Sequence, residues 1–160
     1  MKKVFLILLV ALTSGIYAQT SDKEDLEIIQ GVYGKSKKEL AQAYMAIPEA
    51  QTAAFWKIYD EFEVERKALG KAKVGIINDY AANFANLTDE SADKIAKAGL
   101  KNNIDYQKLF SKYYDKYKKA VGAITAAKII QFENYMQTTV QSEIQDSIPF
   151  VGEIEALKTK

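Results

Sequence analysis

Four carboxylates lie close together at Asp60, Glu61, Glu63 and Glu65, and paired carboxylates are what acid–base hydrolysis uses. A glycosidase needs two such groups facing each other across a cleft, which a single helix does not provide. Charge-rich helical segments of this kind usually face water. The enzyme reading is therefore the weakest of those that the sequence allows.

The chain contains no His and no Cys. This excludes a Ser-His-Asp triad, a thiolate nucleophile and the usual ligands of zinc. A Ca²⁺ or Mg²⁺ site built from carboxylates alone stays open, although no loop resembles an EF-hand. We expect no enzymatic activity and no cofactor.

Two charged residues lie on otherwise apolar helical stripes. Arg66, the only Arg of the chain, interrupts a stripe with heptad spacing that runs from Phe55 to Tyr80, and Glu133 lies on a stripe from Ile129 to Ile144. An unpaired charge on a buried stripe costs several kcal/mol, so each needs a partner. We predict an Arg66–Glu133 ion pair, since the planar guanidinium suits a carboxylate. The alternative is that Arg66 extends along the stripe to water.

An aromatic stripe with lysines around it follows in the third predicted helix. The helical spacing of Tyr106, Phe110, Tyr113 and Tyr117 predicts core packing, with buried rings and hydroxyls near water. The functional alternatives are a surface for unfolded chains or a stacking platform for single-stranded nucleic acid. The candidate client-contact residues surround this stripe or fall off it: Lys112, Tyr114, Lys116, Lys118 and Lys119.

Few helix breakers interrupt the chain, since Pro occurs only at positions 48 and 149. The apolar spacing is helical throughout and strand signals are absent, so the predicted fold is all-α. Helices this long favour extended antiparallel hairpins over a compact ball, and a curved dimer would bury their apolar stripes better. Four helices are predicted, over residues 22–45, 48–86, 88–121 and 125–148, the first with a break near Gly34.

Capping residues set these boundaries. Ser21 and Glu24 fit a capping box, and Pro48 suits a first helical turn. Thr88 and Thr125 are the predicted N-caps of the third and fourth helices, and the residue between those helices, Gly122, suits the left-handed position after a helix end.

The N-terminus has the order of a secretory signal peptide. Lys2 and Lys3 precede an apolar run over residues 4–12, and a small residue, Ala18, precedes the expected cut. The run is too short to span a bilayer, which takes roughly 20 residues. We expect residues 1–18 to be removed, leaving a helical domain over 19–148, a less ordered tail over 149–160 and no membrane span.

Removing the signal peptide takes two of the 22 basic residues and none of the 21 acidic residues, so the mature chain carries a net charge of −1. Proteins that bind nucleic acid are usually strongly basic. We therefore expect no nucleic-acid partner.

Three helix starts share one pattern, at Ile47–Gln51, Leu87–Ser91 and Ile124–Lys128. They resemble the Leu-Thr-x-x-Gln motif of the Spy/CpxP family of exported helical proteins, in which an apolar residue packs on the helix and Thr and Gln cap it. The first copy has Pro48 instead of Thr, and the others have Ser91 and Lys128 instead of Gln. The layout is also similar to that of uncharacterised exported helical proteins with segments like Phe55–Tyr59 and Gln131–Asn134 and a terminal Ile148-Pro149.

The resemblance implies a periplasmic protein that works without ATP, as a chaperone or an envelope-stress accessory. Its partners would be unfolded or envelope proteins, contacted through a concave helical face, and a homodimer is implied as well. An open alternative is a regulatory or structural partner of one envelope protein, such as the ectodomain of a sensor kinase, with no chaperone activity. Some relatives bind metals, but a chain without His is a poor transition-metal sensor.

Overall fold

The computed structural model of the chain describes residues 27–29 and 31–147, with side chains up to residue 144. The predicted signal peptide over 1–18, the predicted capping box of Ser21 and Glu24 and the predicted tail over 149–160 lie outside the described residues. The predictions made for these segments stay predictions.

Helices form almost all of the described chain, and this part contains no strand. Residues 27–29 and 31–33 are helical. The longer elements are α1 (Lys37–Met45), α2 (Glu49–Asn83), a 3₁₀ turn (Phe84–Asn86), α3 (Asp89–Val121) and α4 (Ala123–Ser147). The all-α prediction is therefore confirmed, and the predicted count of four helices is approximate.

The first predicted helix is divided at the position where the sequence suggested a break. Gly34 has a positive φ of 65°, which glycine adopts without steric cost. The chain then restarts as α1 with a capping box, in which Ser36 Oγ accepts a hydrogen bond from the Glu39 amide at 3.3 Å and Glu39 Oε2 accepts one from the Ser36 amide at 2.8 Å. The division makes α1 a separate short helix.

The long helices α2 and α3 form an antiparallel hairpin. With 35 and 33 residues, each spans roughly 50 Å at about 1.5 Å per residue. Thr88 caps α3 as predicted, through reciprocal hydrogen bonds with Ser91. The predicted aromatic stripe is buried between the helices, where the ring of Tyr113 lies 5.3 Å from that of Phe62.

The turn between α3 and α4 corrects the predicted start of the fourth helix. Gly122 has φ 84° and ψ 162°, its N–H donates to the Lys118 carbonyl, and its carbonyl accepts from the Ala126 amide at 3.0 Å. One residue thus ends α3 and starts α4. Thr125 consequently lies inside the first turn of α4, and the prediction that it is the N-cap is wrong.

The helices α1 and α4 pack onto the α2–α3 hairpin. Ala126, Ile129 and Met136 of α4 are buried in the same core as the α2–α3 aromatics, and so are Ala41 and Met45 of α1.

Among the described residues, no helix has both the length and the apolar character needed to cross a bilayer.

Candidate functional site

Three of the four carboxylates that the sequence places together on α2 lie in exposed ion pairs. Each meets a lysine of another helix: Lys38–Asp60 at 2.7 Å, Lys116–Glu61 at 2.8 Å and Lys112–Glu65 at 2.6 Å. Exposed pairs of this kind contribute about 0–1 kcal/mol each. They connect α1 and α3 to α2 at the surface.

The fourth carboxylate, Glu63, belongs to a buried charge cluster. Lys37 of α1 is 4% exposed, and its Nζ lies 2.6 Å from Glu63 Oε1 and 2.5 Å from Oε2 of Glu133 on α4. Glu133 is itself only 2% exposed. One lysine therefore connects three helices at the centre of the molecule.

Arg66 completes this buried charge cluster. Its Nε and Nη2 donate to the two carboxylate oxygens of Glu63, at 2.9 and 3.3 Å. Arg66 and Glu133 line the same cavity, and the charge of Arg66 acts on Glu133. Both residues that the sequence placed on apolar stripes are thus brought to one centre, while their direct ion pair stays a prediction.

The two carboxylates of the cluster respond to burial in opposite ways. Burial favours the neutral form of Glu63, but the charges and hydrogen bonds of Lys37 and Arg66 outweigh it and hold its pKa below the usual value. For Glu133, burial dominates and Lys37 offsets it only in part, so its pKa is raised.

A cavity of about 40 Å³ opens beside the cluster. One oxygen of Glu133, Oε1, has no hydrogen-bond partner within the described part of the chain, although the residue lines this cavity. The hydroxyls of Tyr59 and Tyr117, which do not line this cavity, are also buried without a hydrogen-bond partner in the described part of the chain. Leaving a buried polar group without a hydrogen bond costs about 1–3 kcal/mol, so each of these atoms lowers the stability of the folded state.

The acids of the described residues do not group as metal ligands. Within the described residues, no group of three or more Asp or Glu side chains has the arrangement of a metal site. The partly buried Glu63 and the buried Glu133 instead face the cations Lys37 and Arg66.

The predicted client-contact residues have varied surroundings. Lys112 and Lys116 lie in the inter-helix ion pairs with Glu65 and Glu61. Tyr114 is half-buried and packs against the core, whereas Lys118 and Lys119 are exposed in the last turn of α3. The structure thus leaves mainly Lys118 and Lys119 open to a partner, and their role in client contact stays a prediction.

An apolar groove between α1 and α4 was not identified from the sequence. Its most exposed rings are those of Tyr44, 45% exposed, and Tyr135, 60% exposed. Lys128 Nζ lies 4.9 Å from the centre of the Tyr44 ring at its margin. The α1–α4 groove has a volume of about 370 Å³ and is lined by Tyr33, Leu40, Tyr44, Gln131, Phe132, Tyr135 and Met136.

Little charge surrounds this groove on the α4 side. Only four of the 25 residues of α4 are charged, namely Lys128, Glu133, Glu143 and Asp146, and Glu133 is buried. Aromatic residues and methionine are typical of the centre of protein interfaces, whereas charged residues are depleted there. The composition of the α1–α4 groove is therefore that of a contact surface.

Two residues of the cluster were not expected from the sequence, since Lys37 was not identified and Glu63 was predicted to face water with the other acids of α2. A signal existed, because Lys37 begins a four-residue spacing of buried positions that continues at Ala41 and Met45. A lysine on such a stripe needs a buried acid for the same reason as Arg66 does.

Comparison with protein-family models, with curated proteins and with solved structures finds no match to this chain. The resemblance to the Spy/CpxP family and to other exported helical proteins stays a prediction.

Proposed function

We propose that this chain is an exported, periplasmic helical binding protein that acts without ATP, in a chaperone-like or envelope-stress role. The observation that carries the proposal is the α1–α4 groove, which exposes Tyr44 and Tyr135 beside a helix poor in charge. Exposed aromatic rings contact apolar segments of many sequences, as a binder of unfolded chains requires. Lys118 and Lys119 add exposed positive charge at another place on the surface, in the last turn of α3.

Export is part of this proposal and has its own test. The full-length chain is expressed in a bacterial host, and the protein released from the periplasm is weighed by mass spectrometry. A mature N-terminus at Gln19 is expected, after cleavage behind Ala18. Full-length protein retained in the cytoplasm contradicts the export part alone.

Chaperone-like activity is tested by the aggregation of reduced insulin, followed by light scattering without ATP. The reductant leaves the protein itself unchanged, because the chain has no Cys. A severalfold molar excess of the mature protein is expected to suppress the scattering. Unchanged scattering at that excess contradicts the chaperone-like role.

The second candidate is a regulatory or structural partner of one specific envelope protein, with no chaperone activity. The observation that favours it is the confinement of the groove to one face, between α1 and α4. This candidate predicts that the immobilised protein captures one envelope protein in stoichiometric amount, while insulin aggregation is unaffected. Capture should require Tyr44 and Tyr135, and a set of many weakly held proteins would contradict it.

A further inference from the structure

Lys128 brings a positive charge without a counter-charge to the edge of the α1–α4 groove. The residue is half-buried, and its Nζ lies 4.9 Å from the centre of the Tyr44 ring, where the negative face of the ring attracts it. This is its one polar or ring interaction in the part of the chain that the structure describes, and no acidic side chain there pairs with it. Its positive charge is therefore available to a partner in the groove.

Other lysines of the fold show what such a charge usually meets. Four that lie over aromatic rings also pair with a carboxylate of another helix, and these are Lys37, Lys38, Lys112 and Lys116. Lys38 is the nearest parallel, because its Nζ lies 5.5 Å from the centre of the Trp56 ring and 2.7 Å from Asp60 Oδ1. Lys128 has the ring and lacks the carboxylate. A bound segment that carried an acidic residue would complete the same arrangement.

The remainder of the groove carries no such charge. Eleven residues beyond Lys128, roughly 16 Å along α4, Thr139 Oγ1 lies 3.4 Å from the Tyr33 hydroxyl, which also hydrogen-bonds with Tyr135. The acid of α1, Glu39, already accepts hydrogen bonds from the amide and hydroxyl of Ser36. The apolar lining between the two ends consists of Leu40, Phe132 and Met136. One end of the groove is thus cationic, and the rest is apolar or neutral.

We propose that the α1–α4 groove selects protein segments in which an acidic residue flanks a short apolar run. The carboxylate pairs with Lys128, and the apolar side chains pack on Leu40, Phe132 and Tyr135. From Lys128 to Met136 the groove measures roughly 12 Å along α4, which about four extended residues cover. The inference rests on the proposed function, because it names the kind of segment that the same surface binds.

Three capped peptides that differ in one charge test the selection. They are acetyl-Asp-Leu-Phe-Leu-amide and its two versions with Asn or Lys in place of Asp. In mature protein with labelled backbone amides, the Asp peptide is expected to shift the amide signals of residues 40–44 and 128–136 saturably. Its Kd should be about threefold to fivefold lower than that of the Asn peptide, as for a partly exposed ion pair, and the Lys peptide should bind most weakly. Added salt should narrow these differences.

Three variants locate the selection. Lys128→Glu should reverse the order of the Asp and Lys peptides. The matched control is Lys94→Glu, the same change of charge at an exposed residue of α3 that lies roughly 40 Å along the helix from the turn to α4, and it should leave the order unchanged. Tyr44→Ser/Tyr135→Ser should weaken the binding of all three peptides. Far-ultraviolet circular dichroism shows that each variant is folded.

The outcomes separate this inference from the proposed function. Equal Kd values for the three peptides, or an unchanged order in Lys128→Glu, would overturn the selection of acidic segments, while the groove would still bind apolar chains. Binding that is undiminished in the double tyrosine variant, or no binding of any peptide, would overturn the inference and also contradict the groove as the binding surface of the proposed function.

Discussion

Lys37 contributes the charge that joins α1 to α2 and α4, because its Nζ pairs with both Glu63 and Glu133. Removing one partner of a buried pair leaves the other charge without compensation, which is far more costly than losing an exposed pair. The stability of the fold should therefore depend on this lysine more than on any lysine at the surface ion pairs.

Lys37→Met is expected to lower the free energy of unfolding by about 3 kcal/mol, since Glu133 then loses its ion-pair partner in the core. Urea unfolding followed by circular dichroism measures the change. The matched control is the adjacent Lys38, whose pair with Asp60 is exposed, so Lys38→Met should cost less than about 1 kcal/mol. Equal effects of the two substitutions would contradict the buried role of Lys37.

Lys37→Met combined with Glu133→Leu gives a different expectation. Replacing both members of a buried ion pair by apolar residues of similar size is often neutral or stabilising. The double variant should therefore recover most of the loss caused by Lys37→Met, as measured by the same urea titration. A loss equal to the sum of the two single substitutions would show that the pair is not coupled.

The raised pKa of Glu133 predicts that the stability of the protein depends on pH. Its pKa in the folded protein lies above the ordinary value of 4.5, so the folded state binds its proton more tightly than the unfolded state does. The corresponding stability is fully present below pH 4.5 and is lost as the pH rises through the folded pKa. Glu63, with its lowered pKa, acts in the opposite sense, because its contribution is lost as the pH falls.

Glu133→Gln isolates this contribution. The free energy of unfolding of the wild type minus that of the variant should increase as the pH falls from 7.5 towards 4.5, because only the wild type gains a proton at this position. Urea titrations at a series of pH values measure the difference. A difference that shrinks towards acid would mean that Lys37 and Arg66 dominate Glu133 and hold its pKa below 4.5.

The residue that ends α1, Ala46, has a backbone conformation that alanine does not favour. Ala46 has φ 46° and ψ 53°, the left-handed region that costs a residue with a Cβ about 1–2 kcal/mol. Glycine has no such penalty, although it gains entropy in the unfolded chain.

Ala46→Gly is therefore expected to raise the free energy of unfolding by about 0.5–1 kcal/mol. Ala43→Gly, an exposed position inside the same helix, should lower it by about 1 kcal/mol. Thermal and urea unfolding of both variants check the pair. Destabilisation by both substitutions would contradict the left-handed conformation at Ala46.

Gly122 explains why one helix start could not be predicted. The sequence offers Thr125 as an N-cap, and this is a sound local signal. The glycine, with φ 84°, turns the chain so sharply that α4 begins at Ala123. At Thr88 no such turn precedes the cap, and there the capping prediction is confirmed.

For the whole molecule, the helical class followed from the sequence because local signals agree. Helical spacing, few breakers and the cap at Thr88 all favour long helices, and the stripe from Tyr106 to Tyr117 is buried as predicted. What the sequence could not provide was the packing partner of each helix. The choice of Lys37 as an ion-pair partner of Glu133 depends on where α1 docks, and local patterns do not encode that position.

The α1–α4 groove could not be predicted from the sequence for the same reason. Tyr44 and Tyr135 are 91 positions apart, and neither lies on a stripe that the sequence analysis singled out. Only the docking of α1 on α4 makes them neighbours on one apolar surface, with Phe132 stacked on Tyr44 at 5.8 Å between ring centres. The proposed function depends on partner binding at this surface.

The most direct measurement compares two double variants in the insulin aggregation assay. Tyr44→Ser/Tyr135→Ser removes the exposed rings of the groove, and Leu100→Ser/Ile104→Ser removes two exposed apolar side chains of α3 as a control. The first is expected to need about tenfold more protein for half-suppression, because each lost ring removes a contact of roughly 0.7 kcal/mol, and the second should match the wild type. Equal loss in both variants, or full activity in the groove variant, would contradict the claim that the groove is the binding surface.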